Sequence, residues 1–239
     1  MTILKKGVMP RVWRTIKRVC LYLFIAQLVY IIALRWVNPP CTVTMIASRL
    51  RLMGSGHSFH KAWVPYKSIA PDAKLAVMAG EDQLFPIHHG FDIKSIEKAW
   101  KHNQHSTHTR GASTISQQTA KNVFLWQGGG WFRKGLETYF TFMIEKLWGK
   151  ERILEVYLNV AQMGKGIYGI EAAAEQYYGK HAKSLTGAQA AMIAACLPDP
   201  VDYTVKPPSR ITLFRQHWIL EQMNNLRGAP GIMALLKEK

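Results

Sequence analysis

Glu81 and Asp82 stand side by side after the apolar run Leu75-Ala76-Val77-Met78-Ala79-Gly80 and before Leu84, Phe85 and Pro86. With apolar segments on both sides, one of the two carboxyls is expected to face an apolar pocket. Such burial raises a carboxyl pKa towards neutrality. A carboxylate so placed can take a proton from a sugar hydroxyl, which is the work of a general base. A capped helix end is the plainer use of the same pair.

A second segment, Gly111-Ala112-Ser113-Thr114-Ile115-Ser116-Gln117-Gln118-Thr119-Ala120-Lys121-Asn122, begins with a hinge glycine. Thr114-x-x-Gln117 matches a capping box, so a helix starts near Thr114. Ser113, Gln117 and Lys121 recur at i, i+4 and i+8 and are expected on one face, close to a terminus that favours anions. Few apolar residues oppose them, which leaves a solvated face or an anion- or sugar-binding one. In the third group, Arg133 and Glu137 lie four apart with Lys134 alongside. That spacing brings a carboxylate and two cations to one site, or makes a surface ion pair. Two acidic centres with cations and amides between them suit transfer of a sugar from a phosphorylated donor. One carboxylate would activate the acceptor while the cations stabilise the departing phosphate.

The elements that must position these residues are helical. After Pro71 the pattern predicts helices in PDAKLAVMAG, from about Thr114, and through Leu136, Phe140, Met143 and Leu147 at spacings of four, three and four. Gly149 is a stop signal. Further helical runs are ERILEVYLNV, GIEAAAEQYYG, GAQAAMIAACL and ITLFRQHWILEQMNNL. The last is expected to present Ile211, Phe214, Trp218 and Met223 on one broad face. Long alternating strands are absent, so the fold class is mainly α. No phosphate loop or dinucleotide fingerprint occurs, and no nucleotide cofactor is expected.

The chain of 239 residues suits one catalytic unit, and 48% hydrophobic against 19% charged residues excludes compositional disorder. Its net charge of +16 is uneven: residues 1–71 hold eleven basic side chains and no acidic one. Between Arg18 and Arg35 runs VCLYLFIAQLVYIIAL, slightly short of the ~20 apolar residues that span a bilayer. Flanking Lys17, Arg18 and Arg35 can snorkel, and Trp36 sits at interface level. Lys5, Lys6, Arg11, Arg14, Lys17 and Arg18 precede the span and only Arg35 closely follows it. The positive-inside rule therefore keeps the N-terminus cytoplasmic and exports the rest. A cleaved signal peptide is the alternative, but the run is long for one and no small-residue cleavage site precedes Asn38-Pro39-Pro40. The expected organisation is a basic N-terminus at 1–18, a transmembrane helix at 19–36, a membrane-proximal linker at 37–62 lying along the bilayer, and the catalytic domain at 63–239. Cys20, Cys41 and Cys196 are too few and too scattered for a disulfide framework.

Across residues 63–200 the chain resembles the peptidoglycan glycosyltransferases of bacterial cell-wall synthesis. Five blocks carry the resemblance: Glu81-Asp82-x-x-Phe85-x-x-His88-x-Gly90; Gly111-x-Ser113-Thr114-Ile115-x-Gln117-Gln118-x-x-Lys121-Asn122; Arg133-Lys134-x-x-Glu137; Lys150-x-x-Ile153-Leu154-Glu155-x-Tyr157-Leu158-Asn159; and Gly169-Ile170-Glu171-Ala172-Ala173-Ala174-x-x-Tyr177-Tyr178-Gly179-Lys180. The short chain and single anchor look like the monofunctional biosynthetic members. The resemblance implies a lysozyme-like helical fold with a membrane-facing jaw, and lipid II with the growing lipid-linked glycan as substrates. Glu81 would be the base on the acceptor 4-hydroxyl. Glu137 would position the donor or a divalent cation, Mg or Mn, at its pyrophosphate, with the metal ligands unassigned. Lys121, Arg133 and Lys134 would stabilise the leaving group. Asp82, Phe85, His88, Ser113, Thr114, Gln117, Gln118 and Asn122 would line the cleft, and Glu155, Tyr157 and Asn159 would support the fold. The implied location is the bacterial inner membrane with the catalytic domain in the periplasm, the implied partners are penicillin-binding and division proteins, and moenomycin is the implied inhibitor.

One departure stands out. Many relatives carry an arginine in the loop after the second block, where this chain reads Gln127-Gly128-Gly129-Gly130. Replacing Gly129 by arginine is expected not to reduce polymerisation. Other features are blander. His102, His105 and His108 have metal-like spacing but sit in the polar stretch KHNQHSTHTRG, expected as a loop. Ser58 to Lys61 and Ser95 to Lys98 match S-x-x-K without the K-T-G that completes that signature. Of Trp63, Trp100, Trp126, Trp131, Trp148 and Trp218, only Trp126 and Trp131 are candidates for sugar stacking. The rival functions are a lysozyme-like glycan hydrolase and a membrane-tethered scaffold, while export argues against nucleic acid.

Overall fold

The computed structural model describes residues 8–54, 56–106 and 111–237. Lys5, Lys6 and His108 lie outside the described residues. The chain divides into two compact units, Met1–Asn38 and Pro39–Lys239.

The first unit is helix α1 (Val8–Ala33), in which Arg11–Ala33 is long and apolar enough to cross a membrane. Its apolar side chains from Val19 to Ile25 are exposed on all sides of the helix. A core helix would hide one stripe of these.

The second unit holds the remaining helices: α2 (Val43–Leu52), α3 (Pro71–Glu81), α4 (Ile93–His105), α5 (Ile115–Phe124), α6 (Trp131–Leu147), α7 (Lys150–Val160), α8 (Ile170–Tyr178), α9 (Gly187–Cys196), α10 (Arg210–Leu226) and α11 (Pro230–Leu236). Among the described residues three short strands accompany them: β1 (His60–Lys61), β2 (Gln162–Gly164) and β3 (Ile167–Tyr168). Their order is β1-β3-β2, with β1 parallel and β2 antiparallel to β3. Pairing of His60 with Ile167 and Lys61 with Tyr168 makes the expected linker part of the same unit as residues 63–239.

Helix α3 is the hub. Every residue from Ala73 to Ala79 is buried, because α9, α10 and α11 pack around it. Small side chains permit that approach: a Cβ on Gly80 would come within 3.1 Å of Ile219 Cδ1 on α10. Lys74 is accommodated in this core with its ammonium 3.8 Å from the Tyr66 ring centroid.

Two amphipathic expectations are corrected. On α6 the deepest stripe is Glu137, Thr141 and Ile144, continued by Trp148, one position beyond Leu136, Phe140, Met143 and Leu147. The polar residues Glu137 and Thr141 hide that stripe from a hydrophobicity pattern. On α10 the buried residues are Thr212, Ile219 and Met223, whereas Ile211, Phe214 and Trp218 are exposed. His102 and His105 lie in the last turn of α4 rather than in a loop, because Asp92 caps that helix through Ser95.

Candidate active site

Helix α3 delivers Glu81 at its last turn, and Asp82 fixes what faces it. The Asp82 carboxylate accepts from His88 Nε2 at 2.9 Å and from the Ile115 backbone N–H at 2.9 Å. It therefore ties the end of α3 to the start of α5. His88 Nδ1 accepts from the Gly90 N–H, and Thr114 Oγ1 donates to the Gly90 carbonyl, closing the corner. One turn into α5, Gln118 Nε2 then reaches Glu81 Oε2 at 2.8 Å. On the other side Arg215 Nη2 stands 3.6 Å from Glu81 Oε1, held there by its Nε donating to the Ala195 carbonyl.

The Glu81 side chain is only 10% exposed. Burial is the largest influence on its carboxyl and raises the pKa above the ordinary 4.5; Gln118, Arg215 and Lys121 oppose the rise, and Asp82 adds to it.

The residues expected to line the cleft separate into two sets. Asp82, Phe85, Thr114 and Gln117 are buried and His88 nearly so, with Asp82 bonded to His88 and Thr114 to Gln117. Gln117 in particular turns back to accept from the Thr114 N–H at 3.0 Å, completing the capping box. The expected Ser113–Gln117–Lys121 face is thus corrected: Ser113 precedes the helix and Gln117 is a cap. Nor is α5 poor in core contacts, since it buries Ile115, Ser116, Thr119, Ala120 and Val123 against α6 and α7. Ser113 is exposed, and Gln118 and Asn122 keep partial exposure.

Glu137 sits on the inward face of α6, 4% exposed, with Arg133 Nη1 on Oε2 at 2.7 Å and Lys134 Nζ bonded to Oε1. Lys121 feels both carboxylates: burial, the largest influence, lowers its pKa, Glu137 and Glu81 raise it, and Arg133 and Lys134 lower it. Lys121, Arg133 and Lys134 thus form a cation cluster that Glu137 only partly neutralises. Glycine at 129 is required there, with φ of +96° and a would-be Cβ 3.1–3.3 Å from the Arg133 side chain. That geometry reverses the expectation for an arginine at this position, which would strain the loop and displace Arg133.

Glu155 and Asn159 fasten α7 to the segment before α3. Asn159 accepts from the Val64 N–H and donates to its carbonyl, and Glu155 accepts from the Tyr66 N–H. Tyr157 goes elsewhere, its hydroxyl donating to Gln118 Oε1 at 3.0 Å. Sequence reasoning missed Arg215, which lies on α10 outside the five blocks and has no local signal. It also missed Glu145, which joins Ser116 on α5 to Lys150 on α7.

Each Glu137 oxygen already accepts from a cation, Oε2 from Arg133 and Oε1 from Lys134. Among the described residues, one group has metal-like clustering, Glu171, Glu175 and His181, and there Glu171 is already engaged by His181 and the Ala182 N–H. Around Glu81 the cations Arg215, Lys121, Arg133 and Lys134 outnumber the carboxyls, a set that suits an anionic pyrophosphate, with any divalent cation carried on it. Trp131 is 93% exposed and Trp126 also open, whereas Trp148 belongs to the core.

A shielded carboxylate near a cation cluster on a helical frame suits an enzyme that transfers a sugar from a phosphorylated donor. The sequence profile of the transglycosylase family matches residues 49–224, and the chain belongs to that family. A biosynthetic peptidoglycan transglycosylase of Pseudomonas putida (strain GB-1) is 43% identical over 229 residues, 95% of this chain and 97% of the relative. Proteins of the same name from Xanthomonas campestris pv. campestris (strain B100) and Xanthomonas oryzae pv. oryzae (strain KACC10331 / KXO85) are 47% and 48% identical. They cover 87% and 85% of this chain, and 85% and 84% of their own lengths.

Proposed function

We propose that this chain, a peptidoglycan glycosyltransferase of cell-wall synthesis, polymerises lipid II with Glu81 as its base. Glu81 takes the proton from the acceptor's GlcNAc 4-hydroxyl as that oxygen attacks the MurNAc anomeric carbon of the lipid-linked chain. The anomeric C–O bond to the pyrophosphate breaks, its electron pair leaves with undecaprenyl pyrophosphate, and an α-linked donor becomes a β-1,4 glycan. Lys121, Arg133 and Lys134 neutralise the charge on the leaving group. Glu137 holds Arg133 and Lys134 in place for that task, while Ser113, Gln118 and Asn122 contact the sugars. The observation that carries this reading is the Glu81 carboxylate, buried at the end of α3 and held by Gln118 at 2.8 Å. Any divalent cation that assists travels with the substrate's pyrophosphate.

The chain sits in the inner membrane through α1, with the N-terminus cytoplasmic and residues from Pro39 onward periplasmic. Penicillin-binding and division proteins are its expected partners.

Detergent-purified protein incubated with labelled lipid II should give polymer that moenomycin abolishes. Glu81→Gln should lose about 10²–10⁴-fold in rate, the usual worth of a general base. Intact lipid II alongside cleavage of preformed glycan would replace this reading with a hydrolase. No change in either substrate would leave a scaffold.

A further inference from the structure

The Tyr157 hydroxyl makes its one hydrogen bond among the described residues to the side-chain oxygen of Gln118, at 3.0 Å, and the amide nitrogen of that glutamine donates to Glu81 at 2.8 Å. We propose that Tyr157 is a positioning residue for the base, acting at one remove through the Gln118 amide. The inference rests on Glu81 being the base.

An amide has a donor end and an acceptor end of nearly equal shape, so something must choose which end meets Glu81. The Tyr157 ring is 1% exposed on α7, and its phenol is pushed well above 10, chiefly by burial, with Glu81, Cys196 and Asp82 adding to the rise. It therefore keeps its proton and donates it to Gln118 Oε1. The reversed amide would set its oxygen against the Glu81 carboxylate and is disfavoured. With the amide so fixed, its N–H stabilises ionised Glu81 against the burial that favours the acid, and phenol donation polarises the amide and strengthens that bond. The other groups facing Glu81 are Arg215 from α10, Lys121 from α5, Asp82 at its own helix end and Cys196 from α9. None of these touches Tyr157 through a hydrogen bond, so the influence of Tyr157 is separable.

The test is the pH dependence of lipid II polymerisation by the full-length protein carrying Tyr157→Phe, Gln118→Ala or both. Loss of the orienting phenol favours protonated Glu81, so the acid limb of kcat/KM should move up by roughly half to one pH unit. The rate should fall about 3–10-fold below the limb and recover above it, with KM for lipid II little changed. Because Tyr157 acts through Gln118, the double variant should show the Gln118→Ala profile rather than the sum of two shifts. A fall of equal size at every pH, or additive shifts, would overturn the proposal. Should Tyr157→Phe not fold, a fluorinated tyrosine at 157 keeps the ring and donates more strongly; it should move the limb down, and an unmoved limb overturns the proposal. Failure of the base assignment is distinguishable, since Glu81→Gln would then remain active.

Discussion

Glu81 illustrates how one residue trades stability for chemistry. Its pKa is raised above 4.5, chiefly by burial. A carboxyl whose folded-state pKa exceeds its unfolded value destabilises the fold once ionised, and the penalty grows as pH rises through that window. Glu81→Gln should therefore raise Tm at pH 7 by a few degrees while abolishing polymerisation, and the Tm gain should shrink below pH 5. Differential scanning calorimetry at both pH values checks it. Gly129 makes no such trade. Gly129→Arg forces a side chain onto a φ of +96° and into Arg133. The strain of such a conformation, about 1–3 kcal/mol, should lower Tm by several degrees, and displacement of Arg133 should reduce polymerisation about tenfold. Steady-state rates with labelled lipid II distinguish this from a neutral change.

At the scale of elements, the supports are specific hydrogen bonds as much as apolar contacts. Asn159 joins α7 to Val64 through its side-chain amide, with a further bond to the Glu155 carbonyl. Asn159→Ala leaves the Val64 N–H and carbonyl without these partners and should cost about 2–3 kcal/mol in urea unfolding. The capping box at Thr114 and the stop at Gly149 were legible, because each depends on residues within four positions of one another. The buried stripes of α6 and α10 were not. Glu137 and Thr141 occupy the inward face of α6 for chemistry and hydrogen bonding, and Thr212 does so on α10, so hydrophobicity points to the neighbouring row. Gln117 misled for a related reason: a polar residue at helical spacing from Lys121 turned out to serve the helix end. With Glu81, Asp82 was read as a candidate base or a capped helix end, and its carboxylate is held by His88 and by the Ile115 N–H at the start of α5.

For the molecule as a whole, the mainly helical class and the apolar span were readable from periodicity and charge. The meeting of α10 with the end of α3 was not, because Arg215 and Glu81 are brought together only by tertiary packing. Topology offers a direct check. Cys41 is exposed, Cys196 is buried and Cys20 lies within the span. In a Cys20→Ser background, a membrane-impermeant maleimide should label Cys41 from the periplasmic side of intact spheroplasts and leave Cys196 unmodified until the protein is denatured. Labelling of Cys41 only after lysis would reverse the orientation.

The central claim is that a shielded Glu81 carboxylate takes the acceptor's proton, and the pH dependence of the initial rate tests it most directly. Labelled lipid II polymerised by the wild type from pH 5 to 9 should show an acid limb above the ordinary carboxylate range, with Glu81→Gln inactive throughout. An active Glu81→Gln enzyme that keeps the same acid limb would contradict the account.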